Sequence, residues 1–205
     1  MAIKIFIDQG HNPSGPNTGA TGNGLNEADI TYRVGVLLRD LLLENGNFQV
    51  MLSRKTPNEV LGNSNAGSLA ERVRMANTWG ADFFISIHTN AVANPQANGT
   101  EILTYRLSGP AYNMATLILN SIVTRLNMRN RGVKLGNNLF VLRRTVMPAL
   151  LIELGFITNP SDAYKMDTNP EGFAYAIYQG ILEYFGLWCK CKMQSAKCKM
   201  RNLWN

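Results

Sequence analysis

The sequence predicts a single α/β domain: a twisted, mostly parallel sheet of about six strands with helices on both faces. Three observations carry this. Short strand-like segments alternate with longer segments of helical periodicity along the body of the chain, which is the pattern of strand–helix–strand units. One strand, residues 82–88 (DFFISIH), is apolar on both faces until its last residues, as a strand covered by helices on both sides must be. A length of 205 residues with 45% hydrophobic content suffices for one real core.

Residues 3–8 (IKIFID) read as the first strand, followed by a loop over 9–26 rich in Gly, Asn and Pro. Unstructured loops of that length are usually functional. Over 27–45 the apolar residues Ile30, Val34, Leu37, Leu38, Leu41 and Leu42 recur at helical spacing, and Gly46 ends the helix in a left-handed conformation. Residues 48–52 form a second strand. Ser68 and Glu71 make a capping-box pattern that opens a helix running to Trp79 and stopping at Gly80. Strands follow at 82–88 and 100–105, then a helix over 111–128. Further strands are expected at 139–142 and 149–154. Asn159-Pro160 is a helix start, with Asn as cap and Pro at the first helical position, and 173–184 is the closing helix. The strand order is not readable.

The formal charge is +6, but its distribution matters more. Residues 188–205 hold five basic residues (Lys190, Lys192, Lys197, Lys199, Arg201) and no acidic one, leaving 15 basic against 14 acidic residues in the body. A near-neutral body lacks the basic stripe that neutralises phosphates, which argues against nucleic acid as a partner. All three cysteines, Cys189, Cys191 and Cys198, lie in the same tail, so no disulfide or cysteine metal site holds the body together. The division expected is a catalytic domain over 1–187 and a basic Cys/Lys tail over 188–205, outside the fold and either disordered or a cloning remnant.

No apolar run is long enough to span a bilayer. The first eight residues lack the basic start, apolar middle and cleavage site of a signal peptide. Export by another route, phage-mediated release or an export segment absent from this chain is expected, and the pattern favours a phage or prophage product.

The body has two histidines. His11 lies three residues past the first strand and His88 ends the third, so both project toward the carboxyl edge of the sheet, where open α/β sheets build ligand sites. A hydrolytic zinc site takes three protein ligands and leaves a position for water. With no body cysteine, the third ligand must be a carboxylate, and Glu27, opening the first long helix, is the candidate. The same positions suit ordinary hydrogen-bonding or core histidines. Glu153 is an acid inside the apolar run 149–156, where carboxylates are rare unless paired or functional. It reads as a buried salt bridge to Arg54, Arg72 or Arg143, or as a general base beside a metal.

Four ordered motifs then carry a resemblance: Ile7-Asp8-Gln9-Gly10-His11; Gly24-Leu25-Asn26-Glu27; Ile85-Ser86-Ile87-His88-Thr89-Asn90-Ala91; and Ile152-Glu153-Leu154-Gly155-Phe156-Ile157-Thr158-Asn159. With Leu52-Ser53-Arg54 and residues 69–77 between them, the chain from Ile3 to about Gly186 resembles the zinc-dependent N-acetylmuramoyl-L-alanine amidases of bacterial cell-wall turnover, sporulation and lysis. Asn12 stands where the family often has glycine. Some members carry a blocking helix after the second histidine; here only residues 91–98 separate it from the next strand, which implies an open site controlled by expression, delivery or a partner.

The resemblance implies one zinc ion on His11, Glu27 and His88, with peptidoglycan as substrate. The bond cut is the amide between the lactyl group of N-acetylmuramic acid and L-alanine of the stem peptide. Glu153 is then the proton-transfer group. Asn90 is expected to hydrogen-bond the substrate and Asp8 to support the loop of the first histidine. Arg54 and Arg72 either orient the loops or are ordinary salt-bridging residues. The competing readings are a zinc peptidase cutting within the stem peptide, a silent wall-binding module, and an enzyme needing a partner to hold its zinc.

Overall fold

The computed structural model describes residues 2–187; the tail expected over 188–205 lies outside the described residues. The chain runs β1 (Ile3–Gln9), a small hairpin β2 (Thr21–Gly22) and β3 (Leu25–Asn26), α1 (Glu27–Asn45), β4 (Phe48–Leu52), α2 (Asn65–Trp79) and β5 (Phe83–Asn90). It continues with β6 (Thr100–Thr104), α3 (Gly109–Leu126), β7 (Asn130–Leu135), α4 (Phe140–Arg144), β8 (Ala149–Phe156), α5 (Pro160–Thr168) and α6 (Pro170–Tyr184).

The main sheet has six strands in the order β4-β1-β5-β8-β6-β7. β4, β1, β5 and β8 run parallel, β6 is antiparallel to β8, and β7 is parallel to β6. The amino ends of β6 and β7 therefore meet the carboxyl ends of β5 and β8 at one edge of the sheet.

Side chains alternate across each strand, and the two faces build two cores. Ile5, Ile7, Phe83, Ile85, Ile87, Leu150 and Ile152 pack under α1, α3 and α6 with Val34, Leu38, Ile118 and Ile177. Burying each such side chain contributes roughly 1.5–3 kcal/mol. Phe6, Phe84, Ala149 and Leu151 face the other way, under α2 and α4 with Val73, Ala76 and Leu142. On this second face, past Leu151, the side chains turn polar: Asp8, Ser86, His88 and Glu153.

Helix α1 spans the expected residues and closes on Gly46, whose φ is 81°. Asn159 caps α5 through its side chain, as predicted. Two expectations need correction. Helix α2 begins a turn earlier than the Ser68 pattern suggested: Ser64 is the cap, accepting from Gly67 N, and Ser68 is buried inside the helix. The apolar run at 139–142 is not a strand but the start of α4, since four apolar residues fit either period and these pack onto α2 and β8. The sixth strand is instead β7 (NRGVKL), an edge strand with no fully buried side chain and so no apolar alternation to read.

Candidate metal centre

His11 follows β1 in a left-handed backbone conformation with φ 68°, which a residue with a side chain adopts only at a cost. Buried bonds hold it there. The fully buried Arg72 guanidinium donates to Asp8 Oδ1 (2.6 Å), Gln9 O (2.6 Å), His11 O (2.7 Å) and Asn12 Oδ1 (3.1 Å). Asn12, also fully buried, donates to Pro16 O and Leu61 O and accepts from Leu61 N. Asparagine therefore clamps the loop against the β4–α2 connection, which a glycine there has no side chain to do. His11 Nδ1 faces Asn17 Oδ1 at 3.0 Å, leaving Nε2 turned inward.

Glu27 is the first residue of α1. The β2–β3 hairpin folds the preceding loop back so that Glu27 N donates to Ala20 O, and Ala20 N donates to Glu27 Oε2 at 2.9 Å. Oε1 accepts from Thr89 N at 2.9 Å. The carboxylate lies 3.3 Å from His11 Nε2 and 3.1 Å from His88 Nδ1. Ligand atoms of His11, Glu27 and His88 all fall within 4.8 Å of one another. Burial works against ionisation of Glu27, but the bonds to both histidines outweigh it and hold its carboxyl well below the usual carboxylate range. At His88 burial favours the neutral ring, yet Glu27 hydrogen-bonds it and, with Glu153 and Asp8, raises its pKa.

Two glycines make room for this cluster. A Cβ on Gly10 would lie 2.5 Å from His88 Cε1. One on Gly19, at φ 76°, would lie 2.6 Å from the His11 ring and 2.8 Å from Glu27 Oε2.

Glu153 stands directly opposite His88 across the β5–β8 pair. It makes none of the salt bridges to Arg54, Arg72 or Arg143 that the sequence allowed; its Oε2 is buried without a hydrogen-bond partner. Burial pushes its carboxyl up to about 7, with Glu27 and Glu101 adding to the rise and His88 opposing it.

The remaining expected residues sit around the cluster. Asp8 pairs with Arg72 and accepts from Ser86 Oγ at 2.7 Å, linking β1 to β5 beneath the His11 loop. Arg54 donates to Ala28 O at 2.6 Å, steadying the first turn of α1 behind Glu27. Asn90 ends β5, and its amide donates to Glu101 Oε1 at 3.2 Å. Sequence reasoning missed Glu101, which faces Glu153 across β6–β8. Its signal was available, since it too is an acid within a strand.

A cavity of about 120 Å³ opens beside the cluster, lined by His11, His88, Arg72, Leu69, Phe140 and Leu151 among others. Two imidazoles and a carboxylate are a donor set that could hold a metal ion, with the Glu153 carboxyl alongside and a cleft beside it.

The chain matches the N-acetylmuramoyl-L-alanine amidase family over residues 5–183, and it belongs to that family. It is 40% identical over 182 residues to the N-acetylmuramoyl-L-alanine amidase CwlM of Bacillus licheniformis, covering 87% of this chain and 65% of that protein. An N-acetylmuramoyl-L-alanine amidase from Clostridium difficile superimposes with a TM-score of 0.80 at 31% identity, covering 93% of this chain and 99% of that one. The CwlD amidase from Clostridioides difficile, solved in complex with the GerS lipoprotein, superimposes with a TM-score of 0.81 at 25% identity, covering 90% and 99%.

Proposed function

We propose that this chain is a peptidoglycan hydrolase that cuts the amide between the lactyl group of N-acetylmuramic acid and L-alanine of the stem peptide, using one zinc ion. The observation that carries the reading is the convergence of His11, Glu27 and His88 on one point beside an unpartnered Glu153 carboxylate. The donors suit zinc. Imidazole nitrogen and carboxylate oxygen are its usual ligands, and Gly10 and Gly19 keep the space between them clear.

When bound, zinc supplies Lewis acidity, polarising the scissile carbonyl and acidifying a water molecule. Glu153 takes a proton from the attacking water as its oxygen adds to the carbonyl carbon. It then returns that proton to the departing nitrogen as the C–N bond breaks. The products are a lactyl carboxylate and a peptide with a free L-alanine amino terminus. Arg72 and Asn12 hold the His11 loop so that the ligand is in place beforehand.

Residues 91–98 form turns and no helix, which supports a site left open, with control by expression, delivery or a partner. The lipoprotein bound to the CwlD neighbour makes a delivery or regulatory partner a reasonable proposal for this chain. No helix among the described residues is long and apolar enough to cross a membrane, and the site of action proposed is the bacterial cell wall. Residues 1–187 are proposed as the catalytic unit and 188–205 as an extension to it.

Digestion of purified peptidoglycan, with zinc supplied or chelated, tests this. Zinc-dependent release of peptides with L-alanine amino termini from intact glycan strands is expected. New termini within the stem peptide would instead identify a peptidase. His88→Ala should lose the metal; stoichiometric zinc in that variant would overturn the ligand assignment.

A further inference from the structure

Beyond Glu153 the same face and edge of the sheet continue into a cluster that the mechanism does not use. Glu101 on β6 faces Glu153 in register. Its Oε2 accepts from Arg131 Nε at 2.7 Å and Lys134 Nζ at 2.6 Å, and its Oε1 from Asn90. Both cations come from β7, and a bulge makes this possible. Pairing passes from Thr100↔Asn130 to Ile102↔Val133, so two residues, Arg131 and Gly132, oppose Glu101 alone. Gly132 takes φ 87°. The bulge re-aims Arg131 onto the face that already carries Lys134, which pairs with Leu103.

Charge does not balance here. Glu101 is the one carboxylate bonded to the two cations, so this bonded group carries one positive charge in excess; Glu153, in register beyond Glu101, bonds neither cation. Arg131 is fixed, its guanidinium 4.8 Å over the Phe156 ring and reaching Asn98 O. Lys134 is 42% exposed, and an ammonium has three donors, of which Glu101 takes one. Glu101 thus orients two cations without neutralising them, on an edge strand that needs no such pair for its core.

We infer that Arg131 and Lys134, oriented by Glu101, bind a free carboxylate on the second residue of the stem peptide. The inference rests on the amidase reading above. The glycan strand is uncharged once its lactyl carboxyl is in the scissile amide, so the anion must lie on the peptide side. Strands stand about 4.8 Å apart, and the cationic heads reach back one strand to Glu101. They therefore lie roughly 5 Å beyond the Glu153 row. A peptide advances at most about 3.6 Å per residue, which brings a carboxylate on its second residue level with them.

The test uses two muramyl tripeptides that differ only in the second residue, isoglutamate or isoglutamine. The zinc-loaded wild-type chain should favour the acid by about tenfold in kcat/KM, mostly through KM, as one charge-assisted hydrogen bond implies. Lys134→Gln should cut that preference to about twofold to threefold, and Lys134→Glu should abolish or reverse it. Arg131→Lys, which keeps the charge, should retain most of it. NMR titration of the metal-free chain with L-alanyl-D-isoglutamate and L-alanyl-D-isoglutamine repeats the comparison without turnover, and tighter binding of the acid, weakened by Lys134→Glu, is expected. Equal turnover of both tripeptides by the wild type, or a preference that survives Lys134→Glu, overturns the inference and leaves the amidase reading intact. Failure to cut either tripeptide or peptidoglycan overturns both.

Discussion

Glu153 faces His88 in register across two neighbouring parallel strands, and its inner oxygen is buried with nothing to accept from. A carboxyl left so beside the His88 imidazole contributes nothing to folding that an apolar residue would not do better. The proposed function gives it a use, in proton transfer.

Glu153→Gln should therefore keep zinc and the fold but lose turnover by about 10²–10⁴-fold, the usual worth of a positioned acid–base group. Turnover of purified peptidoglycan beside metal content checks this. A variant near the wild-type rate with full zinc removes Glu153 from the mechanism.

The same residue predicts a pH dependence in the metal-free chain. Burial raises its carboxyl from 4.5 to about 7 in the folded state. The unfolded chain then ionises first, so the stability from Glu153 is fully present below about 4.5 and is lost as pH rises to about 7. The stability of wild type minus Glu153→Gln, from denaturant unfolding, should fall across that window and level off above it. Taking the difference cancels the opposite trend of Glu27, whose depressed pKa loses stability as pH falls. A flat difference would show that the carboxyl is not shifted.

Gly19→Ala should weaken zinc binding on the order of 10–100-fold, the range seen when a supporting residue of a metal site is lost. The added carbon would collide with both the His11 ring and Glu27. Chelator competition measures it, and an unchanged affinity would mean the loop adjusts freely.

Arg72→Met should destabilise the chain by about 3–5 kcal/mol, because it leaves Asp8 buried and unpaired. The double variant Arg72→Met, Asp8→Asn should recover part of this in thermal unfolding. No recovery would show that the carbonyl bonds of Arg72, rather than the ion pair, carry the effect.

Much of this was legible in the sequence. β1, α1, β4 and β8 announce themselves through apolar period and flanking glycine or polar residues. The two histidines and Glu27 stand at element ends, where a parallel sheet must bring them to one edge. What failed did so for physical reasons. The edge strand β7 buries no side chain fully and shows no alternation, while residues 139–142 are apolar and short enough for either period. The reversal of β6 and β7 leaves no local mark, so the meeting of Glu101 with Glu153, and of both cations with Glu101, follows only from tertiary pairing. The work of Asn12 was hidden likewise, since its partner Leu61 lies across the fold, and for Arg72 the sequence left loop orientation and an ordinary salt bridge both open.

Among the described residues the bulged strand pairs with β6 alone. Lys134 bonds Glu101 from a side chain that is 42% exposed, whereas Arg131 also covers the buried Phe156 ring. Under the carboxylate-binding proposal, the preference of this chain for one chemical form of the wall is set at that border strand, one strand removed from the residue proposed to move the proton.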